Sequence, residues 1–273
     1  MNRRLLVTND DGYRSFGLRS LVNSLSKSYD VTVVAPDGPR SASGLALTFY
    51  RPLRVREFNF NNVPYYAVNG MPGDCVSIGL FHILKGNPPD MVVSGINIGE
   101  NVSMLEFFMS GTVAAAIYAS IHDIPAIAFS KRVEGVDVLS PDQVVDGFDE
   151  AGEIAKVMVD VFIEGGFPSQ VNLINVNFPA RLSKESRVVV TRLARRSIDS
   201  KVYVRKDPRG RPYYWIWGDK RASFRRGTDA YEVIKRNNIS VTPITLGLQS
   251  DDAVKSLRGL ADYITERVRN LFI

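Results

Sequence analysis

Cysteine is almost absent: Cys75 stands alone among 273 residues. That excludes an internal disulfide framework and fits a reducing compartment. Histidine is nearly as scarce, with only His82 and His122. The first lies in an apolar helical stretch and the second in the last turn of an alanine-rich helix, where a cation suits the helix dipole; both read as structural. No apolar run approaches the roughly 20 residues that a membrane-spanning helix needs. Asp10 and Asp11 interrupt the first apolar stretch before a secretory signal could form. Internal repeats and low-complexity linkers are missing too. The expectation is a cytoplasmic protein with no membrane partner.

What is present is an ordinary globular composition, 45% apolar and 23% charged, with its charge unevenly placed. The net charge is +5. Between Arg181 and Arg226 fifteen Lys/Arg face four acids, so the rest of the chain carries 19 basic against 25 acidic residues. The basic character belongs to one segment.

The first half alternates strand and helix signals. Arg3–Thr8 and Asp90–Ser94 are short apolar runs without polar alternation, as in strands covered on both faces. Asp30–Pro36 and Ala126–Ser130 are further strands, and Pro52–Phe58 and Pro64–Asn69 form a pair around the turn Asn59–Asn62. Helices are expected at Ser15–Ser28, Gly73–Leu84, Ser110–Ile121 and Asp142–Phe162, and a strand at Val171–Val176. This rhythm predicts an α/β fold with a Rossmann-like, mostly parallel sheet flanked by helices. "SKVYVRKDPRGRPYYWIWGDK" then alternates at strand period around Asp207-Pro208-Arg209-Gly210, which predicts a protruding β-hairpin with Tyr203, Tyr213, Trp215 and Trp217 on one side. A freestanding ribbon is marginal in water and needs a surface to lie on. Ile239–Leu246 and Asp251–Asn270 close the chain as a strand and an amphipathic helix. The domain reading is a catalytic core at 1–190, a basic hairpin arm at 191–226, and a C-terminal strand and helix at 227–273.

In an open parallel sheet, ligands bind beyond the carboxyl ends of the strands. Asn9, Asp10, Asp11 and Gly12 follow the first strand; Asp37 and "GPRSASG", with Ser41 and Ser43, follow the second; "GINIGEN", with Asn97 and Asn101, follows the Asp90–Ser94 strand. A single aspartate after a strand is usually a turn or cap. Two adjacent aspartates repel each other, and converging hard oxygen donors from three loops suit Mg²⁺, Mn²⁺ or Ca²⁺ rather than zinc or copper. Ser110-Gly111-Thr112 opens a run of good helix formers, with the serine as N-cap. The helix start can bind phosphate, and the glycine lets backbone approach closely. A cation beside a phosphate-binding helix end is an arrangement for phosphoryl transfer. Cys75 reads as a small buried apolar group.

Taken in order, "TNDDG", "VVAPDGPRSASG", "VNGMPGDCV", "VVSGINIGEN", "SGTVAAA" and "ISVTP" resemble the SurE family of metal-dependent nucleotidases and phosphatases. The resemblance is densest over 3–131 and returns at 227–243. It implies one divalent ion held by Asp10, Asp11, Ser41 and Asn97, with Asp10 and Asp11 also catalytic, and phosphate contacts from Asn101, Ser110, Gly111 and Thr112. The implied activity is hydrolysis of nucleoside 5′- or 3′-monophosphates. The implied assembly is a homodimer or homotetramer, with the hairpin and the C-terminal part exchanged between subunits. Two departures stand out: Tyr13-Arg14-Ser15-Phe16 precede Gly17 where an apolar residue and Ala-Pro-Gly are usual, and no histidine stands near Tyr231.

Three alternatives compete. One is a broad-specificity acid phosphatase or exopolyphosphatase. Another is a Mg²⁺-binding receiver-like signalling module, with Lys131 at a later strand end but Ser94-Gly95-Ile96-Asn97 where its phospho-accepting aspartate belongs. The third is nucleic-acid binding through the arginines and aromatics of Arg192–Arg226, against which a solvated or subunit-facing arm is the simpler reading.

Overall fold

The computed structural model describes residues 3–134, 146–221 and 223–252, and positions 254, 255, 258, 261, 264, 265 and 268 of the C-terminal helix. Strand β1 (Arg4–Thr8) is buried along four of its five residues, because it lies inside a sheet covered on both faces. Leu5 and Val7 point to a core layer shared with helices α1 (Phe16–Leu25) and α5 (Phe148–Gly165). Leu6 points the other way, to a layer shared with α2 (Pro72–Ile78) and α4 (Gly111–Ile121). Alternation at period two thus divides one apolar run between two cores.

The remaining strands are β2 (Asp30–Pro36), β3 (Val55–Phe60), β4 (Val63–Val68), β5 (Met91–Ile98), β6 (Ala126–Lys131), β7 (Leu173–Phe178), β8 (Val188–Val190), β9 (Ile198–Lys206), β10 (Pro212–Lys220) and β11 (Ile239–Ile244); α3 covers Ser103–Met109. Nine strands make one sheet in the order β3-β4-β2-β1-β5-β6-β7-β11-β8. It is parallel from β4 through β7, with β3 and β11 running antiparallel to their neighbours β4 and β7. Because β2 lies on one side of β1 and β5 on the other, the order reverses at the β1/β5 boundary. That crevice is where an α/β sheet of this kind binds ligands.

The expected elements occur with shifted ends. Ser15 caps α1, which stops at Leu25. The helix expected over Gly73–Leu84 is α-helical only to Ile78 and continues as a π turn at Gly79–Ile83, where Gly79 packs directly against Leu6. Of the helix expected from Asp142, residues 142–145 lie outside the described residues, and α5 begins at Phe148. The β5 strand runs on past Ser94 through a register shift to Ile98. The described residues of the last segment are helical.

The hairpin β9–β10 forms its own two-stranded sheet, with Tyr203 opposite Trp215. The turn closes through Asp207, whose carboxylate accepts from the amides of Arg209 and Arg211. Val202, Val204, Tyr214 and Ile216 occupy the opposite face and are also exposed, so both faces of the ribbon are apolar and uncovered.

Candidate active site

The question posed by two adjacent aspartates is answered at the end of β1. Asn9 builds the loop: its side-chain amide donates to Gly12 O (3.0 Å) and Ser15 Oγ (2.8 Å), and its carbonyl accepts from Gly12 N (3.2 Å). Gly12 turns the chain with φ +95° while lying against the Gly38 backbone, a combination that other residues adopt only with strain. Strand alternation has ended there, so Asp10 and Asp11 both face the rim. Asp10 is buried, and Asp11 partly so.

The carboxylate of Asp10 accepts from the hydroxyl of Thr112, and the amides of Gly111 and Thr112 at the start of α4 also favour its charged form. Burial outweighs these bonds and pushes its pKa above the ordinary carboxylate range. Asp11 accepts from Ile98 N (3.0 Å) and is likewise pushed up, by burial first and by the Asp10 charge second. No lysine, arginine or histidine pairs with either among the described residues. Among the described residues, then, two neighbouring carboxyls are held without a cationic side chain between them.

Helix α4 approaches closely because residue 111 is glycine. A Cβ there would lie 2.6 Å from Ser43 Oγ and 2.7 Å from Asp10 Cβ. Ser110 caps the helix, its hydroxyl oxygen accepting from Val113 N (3.1 Å). That leaves the hydroxyl proton for another acceptor. The helix end is thus aimed at Asp10, and Thr112 Oγ1 is committed to that carboxylate.

Ser41 is exposed, one residue beyond Arg40, whose amide donates to Asp10 O (2.7 Å). Ala42 takes a left-handed φ of +56°, and the chain then turns inward so that Ser43 sits beside Gly111 and Asp10. Ser43 Oγ is buried without a hydrogen-bond partner. Asn97 stands on β5 opposite Ser130, and its side-chain NH₂ is tied to Gly99 O (2.8 Å), which leaves the amide oxygen for a cation. The donor set of two carboxylates, an amide oxygen and serine hydroxyls fits a hard divalent ion.

Asn101 is held in an amide network that the sequence reading missed. Its side chain donates to Ser130 Oγ (2.8 Å), its backbone N donates to Asn177 Oδ1 (2.7 Å), and its carbonyl accepts from Asn175 (3.0 Å) and Asn177 (3.3 Å). The signal was present: Asn175 and Asn177 alternate with apolar residues in a fully buried strand, where each amide needs a partner. Asp74 was missed as an organiser. It anchors the long 37–54 loop by accepting from Thr48 N (2.9 Å) and Met71 N (2.8 Å). Lys131, raised for the receiver-like reading, is buried, donates to Ala180 O (2.9 Å) and lies over the Phe148 ring, so it is already engaged. His122 packs against Phe81 and Tyr118 at the far end of α4, and Cys75 is buried and free.

A profile of the family described as survival protein SurE matches residues 5–200. This chain belongs to the SurE family. Among relatives, a protein of Methanothrix thermoacetophila called 5′-nucleotidase SurE is 43% identical over 89% of this chain and 93% of its own length. The protein of the same name from Thermococcus kodakarensis is 42% identical over 90% of this chain and 93% of its own. The crystal structure of the SurE protein from Aquifex aeolicus superposes with a TM-score of 0.79 at 34% identity, covering 94% of this chain and 99% of that one. Among the described residues of this SurE family member, no single helix is long and apolar enough to cross a membrane.

Proposed function

We propose that the protein is a divalent-metal-dependent phosphomonoesterase that hydrolyses nucleoside 5′-monophosphates to nucleoside and phosphate. The observation that carries this reading is the uncompensated pair Asp10 and Asp11 at the sheet's switch point, with the α4 N-terminus against it. The name shared by the relatives supports the same substrate class. Asp10, Asp11 and Asn97 would hold the ion, with a hydroxyl of the 41–43 loop, Ser41 being the expected ligand and Ser43 the one packed against Asp10. When bound, Mg²⁺ or Mn²⁺ supplies Lewis acidity and an acidified water. Ser110, with its free hydroxyl proton, and the second side-chain N–H of Asn101 would position the phosphoryl oxygens, and Gly111, lacking a side chain, would let them come close. Thr112 would act by fixing the Asp10 carboxylate. In the hydrolysis, a water oxygen forms the new P–O bond, the P–O bond to the ribose oxygen breaks, and the water's proton ends on the leaving alcohol. Asp10 or Asp11 would relay that proton.

Chelation with EDTA is expected to abolish phosphate release from AMP, and Mg²⁺ or Mn²⁺ to restore it. Asp11→Asn is expected to lower kcat/KM by about a thousandfold or more. Undiminished turnover in that variant would sink the assignment.

The uncovered ribbon supports a homodimer or homotetramer in which the 191–226 arm lies on another subunit. The 227–273 segment contributes as well, although its strand β11 lies within the 1–190 core sheet. The low cysteine content accords with a cytoplasmic setting.

A further inference from the structure

Beside the Asp10-Asp11 loop lies a cavity of about 500 Å³, lined by Tyr13, Arg14, Asp37, Arg54, Arg56 and Asn69 among others. Its volume is that of a small-molecule site. Three of the lining residues are arginines, and among the described residues none of them pairs with a carboxylate. The one acid in the lining, Asp37, is engaged by Arg40 at 2.6 Å. The cavity is therefore cationic.

Its arginines are also pre-arranged. Arg56 donates to the Tyr13 hydroxyl and lies 5.2 Å from the centre of that ring, and Arg14 lies 5.2 Å from the same ring. Phe58 packs edge-on against Tyr13 and also sits under Arg56. With two guanidiniums and a phenyl ring around it, Tyr13 offers little open face for stacking a base. What the cavity offers instead is a set of guanidinium N–H donors that no carboxylate engages among the described residues, the chemistry that recognises phosphate. Tyr13 follows Asp11 by two residues, so their Cα atoms are at most about 7.6 Å apart. The two sites therefore adjoin along one loop.

We propose that this cavity binds a second phosphoryl group carried on the ribose of the substrate, so that the preferred substrates are nucleoside bisphosphates rather than simple monophosphates. The inference rests on the nucleotidase reading of the Asp10-Asp11 site and adds the substrate class.

The test compares AMP with adenosine 3′,5′-bisphosphate, using the full-length protein loaded with Mg²⁺ or Mn²⁺. The readout is the ratio of the two kcat/KM values within one preparation, so that any loss of folded protein cancels. The ratio is expected to favour the bisphosphate by about tenfold, the worth of one good charge-assisted contact. It should fall towards one in Arg54→Gln/Arg56→Gln, whose side chains are on the surface, and in Arg14→Gln, which covers the case in which the double variant fails to fold. A wild-type ratio at or below one overturns the proposal, as does a ratio that the substitutions leave unchanged. Arginine-dependent hydrolysis of tripolyphosphate without any such dependence for the bisphosphate also overturns it, by assigning the cavity to a phosphate chain. Failure to release phosphate even from AMP would instead strike the nucleotidase reading itself.

Discussion

At the scale of single residues, the end of β1 stores an electrostatic conflict that the proposed divalent ion would resolve. Asp10 and Asp11 are adjacent, largely shielded from water and supported only by neutral donors. Removing one of the two charges should therefore stabilise the metal-free protein even as it destroys activity. In EDTA, Asp11→Asn is expected to raise stability by about 1–2 kcal/mol, a shift of a few degrees in Tm for a chain of this size. Thermal unfolding of both proteins with and without Mg²⁺ checks this; a lower midpoint for the variant in EDTA would contradict it. Gly111 makes a second residue-scale case. Its missing side chain is what lets α4 approach Asp10, since a methyl group there would overlap both Ser43 and Asp10. Gly111→Ala should cost about a hundredfold in kcat/KM, as expected for a displacement of catalytic groups approaching 1 Å. The circular dichroism spectrum should be unchanged, because alanine favours the helix it joins.

At the scale of elements, helix α3 ties the rim that carries the proposed site to the root of the hairpin. Glu106 on α3 accepts from Ser103 Oγ (2.8 Å) and from the hydroxyl of Ser197, and Ser103 N in turn donates to Asp229 (2.7 Å). Burial holds the Glu106 carboxyl at about 7, above its usual 4.5, despite those two hydroxyl donors. The folded state thus binds a proton more readily than the unfolded chain. The resulting stabilisation is full below about pH 4.5 and is lost as the pH rises through about 7. A loss of roughly 2 kcal/mol between pH 5 and pH 8 is expected from this group. Denaturant midpoints across that range should show it in the wild type and a flatter profile in Glu106→Gln, which keeps an acceptor but cannot ionise. Equal slopes in the two proteins would remove Glu106 as the cause.

At the scale of the whole molecule, the ribbon β9–β10 is left uncovered on both faces among the described residues. Trp215 is 63% exposed on one face and Ile216 79% exposed on the other, whereas a stable two-stranded sheet needs cover. Replacing residues 199–219 by a short Gly/Ser linker should lower the mass measured by light scattering from that of the full-length assembly to that of a smaller one. The nine-stranded core, whose strands pair independently of the ribbon, should remain folded. An unchanged mass would assign the association surface elsewhere.

Much of this was legible in the residues themselves. Buried parallel strands need continuous apolar runs, so β1, β2 and β6 could be read within a residue of their ends. A capped helix announces itself by Ser110, and adjacent aspartates after a strand mark a place where charge repulsion has to be met by something outside the chain's own pairs, which is the ground of the proposed cation site. Resemblance to one family added the ligand and phosphate assignments. Loops have no such periodicity. Which hydroxyl of Ser41 and Ser43 turns inward depends on the left-handed Ala42 between them, and the loop carrying both is pinned by Asp74, 26 residues beyond Thr48. The ring of guanidiniums around Tyr13 joins residues about forty positions apart, which only the pairing of β3 with β4 and of β4 with β2 brings together. Local patterns therefore decide elements, because they depend on neighbours in the chain. The site's finer composition is decided by the tertiary structure, because it depends on which distant loops the sheet order places along one rim.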